Sequence, residues 1–147
     1  MPNANGHYSR PEKLDDAKTI LYEIEMLRFA RGRLHSPTAS WSPADEWVYL
    51  EDFLLHYRNL IEFFGNQSPR NTDLSIRNPA DFWAGAVPAL PVLNSMARAD
   101  LWEKYNTSDN PEAISKYLHH CTKQRTVAKD WDVNALYEEL RPTIEKF

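Results

Sequence analysis

The chain has 147 residues, 42% apolar and 26% charged, with only four glycines against ten prolines, five tryptophans and seven tyrosines. Its mean hydropathy is −0.63 and its formal charge −4, with a pI near 5.7. This composition describes one soluble domain with an aromatic-rich core, and it excludes a fibre, a disordered chain and general electrostatic attraction to nucleic acid or an anionic membrane.

So little glycine argues against a large β-sheet, which spends glycine on its turns. No apolar run approaches the roughly 18 residues of a membrane span, and the start, MPNANGHYSRPEK, has no signal-peptide core. The single cysteine, Cys121, has no internal disulfide partner, so a reducing cytoplasm is the expected location. The glycosylation patterns at Asn66 and Asn106 are then chance matches.

In chain order, residues 1–9 read as a flexible tail and 10–147 as a single helical domain. Ser9 with Glu12 can form a capping box, and Leu14, Ala17, Ile20, Leu21, Ile24 and Leu27 repeat at helical spacing. Gly32 is expected close to the end of this first helix, with a loop from His35 to Trp41.

Ser42 and Pro43 open a second helix with two apolar seams. One runs Trp47, Leu50, Leu54, Tyr57, Ile61, Phe64, and the other Tyr49, Phe53, His56, Leu60, Phe63. A helix apolar on two faces must be covered on both, which predicts a central position. Gly65 stands where a left-handed C-cap is expected.

Four prolines (69, 79, 88 and 91) break the next segment. Its uncharged stretch Trp83–Leu93 reads as a strap across the bundle or as a hydrophobic partner surface. A third helix is expected after Asp109 and Pro111, with Ile114, Leu118 and Cys121 on one face. Asp132 caps a last helix carrying Val133, Leu136, Leu140 and Ile144, which Pro142 should kink or end. The expected fold is therefore all-α: an antiparallel bundle of about four main helices with a proline-rich irregular insert.

Chemical motifs are sparse. No Cys-x-x-Cys, His-x-x-x-His, Glu-x-x-His or phosphate-binding glycine loop occurs, so neither a metal site nor a cofactor is expected. His119, His120 and Cys121 are sequential and diverge by about 100° per residue on a helix. His56 is the polar anomaly, placed inside an aromatic stripe. It reads either as a hydrogen-bonded core histidine or as a cleft residue that meets His120, with Arg58 or Arg125 holding an anion. Arg58 lies about 200° around the helix from His56, and a salt bridge to Glu62 suits it equally. Arg28, Arg31 and Arg33 are candidate phosphate ligands or compensators of the helix dipole, and Trp83 is a candidate ligand contact.

FLLHYRNLIEFF (53–64) followed by ISKYLHHCTKQR and WDVNALYEEL (114–140) resembles a family of small uncharacterised bacterial helical proteins. In that family a helix reading LLHxRNLxxFF precedes one reading INKxxxHLTxxR and then a tryptophan, and Ser115 takes the asparagine position here. The later segment is also similar to HEPN ribonucleases, which pair an Arg-Asn with a histidine four to six residues after the arginine. That resemblance implies acid–base work at an RNA 2′-hydroxyl for His120. Ile114 and Ser115 occupy the Arg-Asn positions, so Arg58 or Arg125 must supply the charge. The expected function is a non-catalytic binding or interaction protein, homodimeric through its aromatic surface or docking another protein. The alternative is an HEPN-like RNA-binding or metal-independent ribonuclease, with RNA a partner only in that case.

Overall fold

The computed structural model describes residues 10–78, 94–106, 113–119 and 130–147. These form an all-α bundle with no strand among the described residues. Its helices are α1 (Arg10–His35), α2 (Pro43–Gly65), α3 (Ala99–Asn106), α4 (Ile114–His119) and α5 (Val133–Lys146). The strap 83–93 and the tail 1–9, with Ser9, lie outside the described residues, as do Asp109, Pro111, Glu112 and Cys121 and the side chain of Leu14.

Helix α2 starts as its sequence dictates. Pro43 occupies the first turn, and the Asp45 carboxylate accepts the Ser42 N–H at 2.7 Å. The helix is central, packing against α1, α3, α4 and α5. Phe53, Leu54, Tyr57, Leu60, Ile61, Phe63 and Phe64 are fully enclosed. From α1, Ile20, Ile24, Leu27 and Ala30 close one side, and Leu101, Tyr105, Ile114, Leu136, Leu140 and Ile144 close the other. The short loop 36–42 makes α1 and α2 an antiparallel hairpin. Phe29 meets Tyr49 at 6.2 Å and Tyr22 meets His56 at 5.8 Å between ring centroids.

Three local expectations are corrected. Leu21 is exposed, because it lies on the edge of the α1 core stripe, beyond reach of α2. Trp47 is 65% exposed, because it lies in the first turns of α2, where no residue before Phe53 is buried. Gly65 is not a left-handed cap: the helix ends in an extended Asn66 whose N–H returns to the Glu62 carbonyl. Glycine is required there for close approach, since a Cβ would lie 2.7 Å from Trp102 Cβ and collide with the Arg98 carbonyl. Gly32 lies close to the end of α1, as expected, three residues before His35.

Helix α5 continues past Pro142 to Lys146. Proline removes one amide donor and crowds the preceding turn. Beside it the Arg98 guanidinium donates to the Glu139 carbonyl and, at 3.3 Å, to Thr143 Oγ1. The Arg98 N–H meets the Phe64 carbonyl at 2.9 Å. One residue thus fastens the end of α2 to α5.

Candidate functional site

His56 is buried with both ring nitrogens engaged. Nδ1 lies 2.6 Å from Glu23 Oε2 on α1, and Nε2 lies 3.2 Å from Asp52 Oδ1 one turn earlier on α2. Asn59 Nδ2 donates to the same Glu23 oxygen at 3.2 Å, and the Tyr22 ring packs edge-on against the imidazole. Burial pulls the His56 pKa down, but the hydrogen bond and charge of Glu23 together with Asp52 outweigh it, and the net displacement is upward. When protonated, the imidazole donates to both carboxylates and ties α1 to α2.

Arg58 points the other way, as its angular offset from His56 requires. Its Nε donates to Ser115 Oγ at 2.9 Å, Nη1 reaches Glu62 at 3.2 Å, and the guanidinium lies 5.8 Å from the Trp102 ring centre. Ser115 Oγ in turn donates to Asn106 Oδ1 at 2.9 Å, so one arginine joins α2, α3 and α4. His56 and Arg58 therefore do not share a site. His120, Arg125 and Trp83 lie outside the described residues.

Arg28 and Arg31 face α5. Arg28 Nε donates to the Tyr137 hydroxyl at 3.1 Å. Arg31 Nε reaches Asn134 Oδ1 at 3.3 Å while its guanidinium covers the Tyr137 ring at 4.2 Å. Both pin the first helix to the last. Arg33 lies instead over Tyr49 and Trp41, at 5.2 and 5.6 Å.

The outward side of the α1–α2 hairpin carries exposed apolar side chains. Tyr22 and Phe29 are seven residues apart on α1, each 52% exposed; Val48 and Leu55 are seven apart on α2 and also exposed. Seven residues are close to two helical turns, so each pair stacks along one line. Tyr22 packs on His56 and Phe29 on Tyr49, so the first line borders α2, while Val48 and Leu55 lie on the face of α2 roughly opposite the buried Tyr57.

A groove of about 310 Å³ lies between α1, α2 and the following loop, bordered by Thr19, Glu23, Asn59, Glu62, Arg70 and Asp73. Among the described residues no group of three or more His, Cys, Asp or Glu side chains is arranged to hold a metal ion, and no helix is long and apolar enough to cross a membrane.

The sequence reading missed Glu23, Asn59 and Ser115. The first two were accessible: a loop centred on residue 39 sets residue 22 opposite 56, which brings Glu23 beside His56. Ser115 carried no comparable signal, because α4 is reached through residues whose path the pattern does not define.

No family model, curated protein or solved structure matches the chain.

Proposed function

We propose that the chain is a non-catalytic interaction protein whose α1–α2 hairpin docks face to face with a second copy of itself. The observation that carries this reading is the double line of exposed apolar side chains, Tyr22 with Phe29 and Val48 with Leu55. Heptad-spaced lines on two antiparallel helices match the seam that packs helices at a shallow angle into a four-helix assembly. Charge supports a second copy as the occupant. With a two-fold axis along the hairpin, the basic end of α1 at Arg33 comes opposite the acidic first turn of α2, Asp45 and Glu46. The polar candidates fit a scaffold role, because His56, Arg58, Arg28 and Arg31 each join two helices.

Light scattering on the eluting protein tests this. The expected mass is about 34 kDa, twice 17.1 kDa, falling to the monomer value in Phe29→Asp with helicity unchanged. A wild-type monomer at about 100 µM, well above the range of a micromolar contact, overturns the proposal.

A second reading is favoured by the Arg58–Ser115 contact, which brings a guanidinium to the helix segment where the HEPN resemblance needs one. On this reading the chain binds or cleaves RNA through His120. Loss of RNA cleavage in His120→Ala supports it; an unchanged rate, or no cleavage by wild type, removes it.

A further inference from the structure

A cavity of about 240 Å³ opens between the end of α3 and the first turns of α5, far in sequence from the hairpin face. Tyr105 and Trp131 provide aromatic surface, Leu136 an apolar floor, and Asp130, Asp132 and Glu139 three carboxylates against the single ammonium of Lys104. Trp131 is held edge-on by Tyr117 at 5.7 Å. Burial raises the Tyr105 pKa, so its hydroxyl stays protonated and donates to Glu139, 3.0 Å from Oε2. This hydrogen bond fixes the position of the Glu139 side chain at the cavity edge.

The Lys104 ammonium shows what this niche attracts. It lies 4.9 Å from the Tyr105 ring centre and 3.3 Å from Glu139 Oε1, at once on an aromatic face and against a carboxylate. Its side chain is 46% exposed, so a competing cation can reach the same face from solvent. The buried Tyr57 ring packs edge-on against Tyr105 at 5.7 Å and fixes the orientation of that aromatic wall.

We infer that this cavity binds a small organic cation, a quaternary or highly methylated ammonium, which displaces the Lys104 side chain from the face of Tyr105. Methylated ammonium is the cation class that aromatic walls prefer, because it is weakly hydrated and sheds its water cheaply. Carboxylates at the rim supply the long-range attraction, and the cavity can enclose a head group but not a large ligand. The occupant can be a free metabolite with a trimethylammonium head or a methylated lysine of another protein, since both present the same chemistry.

The test is a titration of the whole chain with tetramethylammonium chloride, following the indole N–H signal of Trp131 by NMR. Trp131→Phe assigns the signal, and sodium chloride at equal ionic strength is the control. A saturable shift with tetramethylammonium and none with sodium is expected. Lys104→Met removes the internal competitor from an exposed site and should tighten binding by about threefold to tenfold, while Glu139→Gln should weaken it by a similar factor. Choline and a trimethyllysine peptide, titrated separately, tell the two sources apart, and binding of either supports the site. No saturable shift in wild type and Lys104→Met, or unchanged affinity in Lys104→Met, overturns the inference.

Discussion

From Phe53 to Gly65, helix α2 buries nine residues; from Pro43 to Asp52 it buries none. Both halves carry the same pair of apolar seams, so the difference does not lie in the pattern but in what reaches each half. The C-terminal half is enclosed by α1, α3, α4 and α5 and by Ile76, whose N–H meets the Phe63 carbonyl at 3.1 Å. Around the N-terminal half the aromatic residues make a surface cluster. Tyr49 stacks on Trp41 at 5.1 Å and meets Phe29, and Arg33 lies across both Tyr49 and Trp41. An amphipathic pattern specifies which side chains need cover, and chain length and topology decide whether cover arrives.

The contrast is broken most directly by removing one aromatic from each half. Phe53→Ala should cost about 3–5 kcal/mol of unfolding free energy, as for other enclosed phenylalanines. Trp47→Ala should change it by less than about 0.5 kcal/mol. Urea unfolding of both variants measures this, and equal costs would show that Trp47 is covered. A smaller effect sharpens the comparison at the glycines. Gly65→Ala drives a methyl into Trp102 and the Arg98 carbonyl, and overpacking against backbone should cost about 1–3 kcal/mol. Gly32→Ala meets nothing within 4 Å on an exposed helical position, so the better helix former should add about 0.5–1 kcal/mol. A stabilising Gly65→Ala would mean that the α2–α3 junction is loose.

What the sequence made legible follows the same division. The all-α class, the two long helices, the Ser42–Pro43 start and the centrality of α2 rest on local spacing and capping, which a single chain segment determines. The Arg58–Glu62 pair was legible for that reason too, being four residues apart on one helix. The Glu23–His56–Asn59 cluster was half legible, since the register of a short-looped hairpin is nearly arithmetic. The Arg98, Ser115 and Tyr105–Glu139 contacts join residues 41, 57 and 34 positions apart through irregular segments, and no periodicity encodes such pairings. Gly65 was read for its conformational freedom, whereas its missing side chain is what α3 requires, a constraint that belongs to the partner helix.

The smallest effect concerns pH, and it separates a protonated clamp from a neutral one. His56 has a pKa above its ordinary value in the folded chain, with burial opposing and Glu23 and Asp52 prevailing. A raised folded value means that folding binds a proton more tightly than the unfolded chain does. The stabilisation is complete below the unfolded histidine value of about 6.5 and is lost as pH rises through the folded value. The stability advantage of wild type over His56→Gln should therefore be largest near pH 5.5 and shrink toward about pH 9, following the fade of this linkage term. Glutamine keeps a hydrogen-bond donor to one carboxylate but carries no charge, so the pH-dependent part of the difference isolates the proton. Urea midpoints for both proteins at four or five pH values measure it. A constant difference would show an imidazole whose pKa folding does not move, and a difference growing with pH one that burial holds neutral. The histidine would then hold α1 to α2 by shape and hydrogen bonding, as the aromatic pairs of the N-terminal half do without any charge relay into the core.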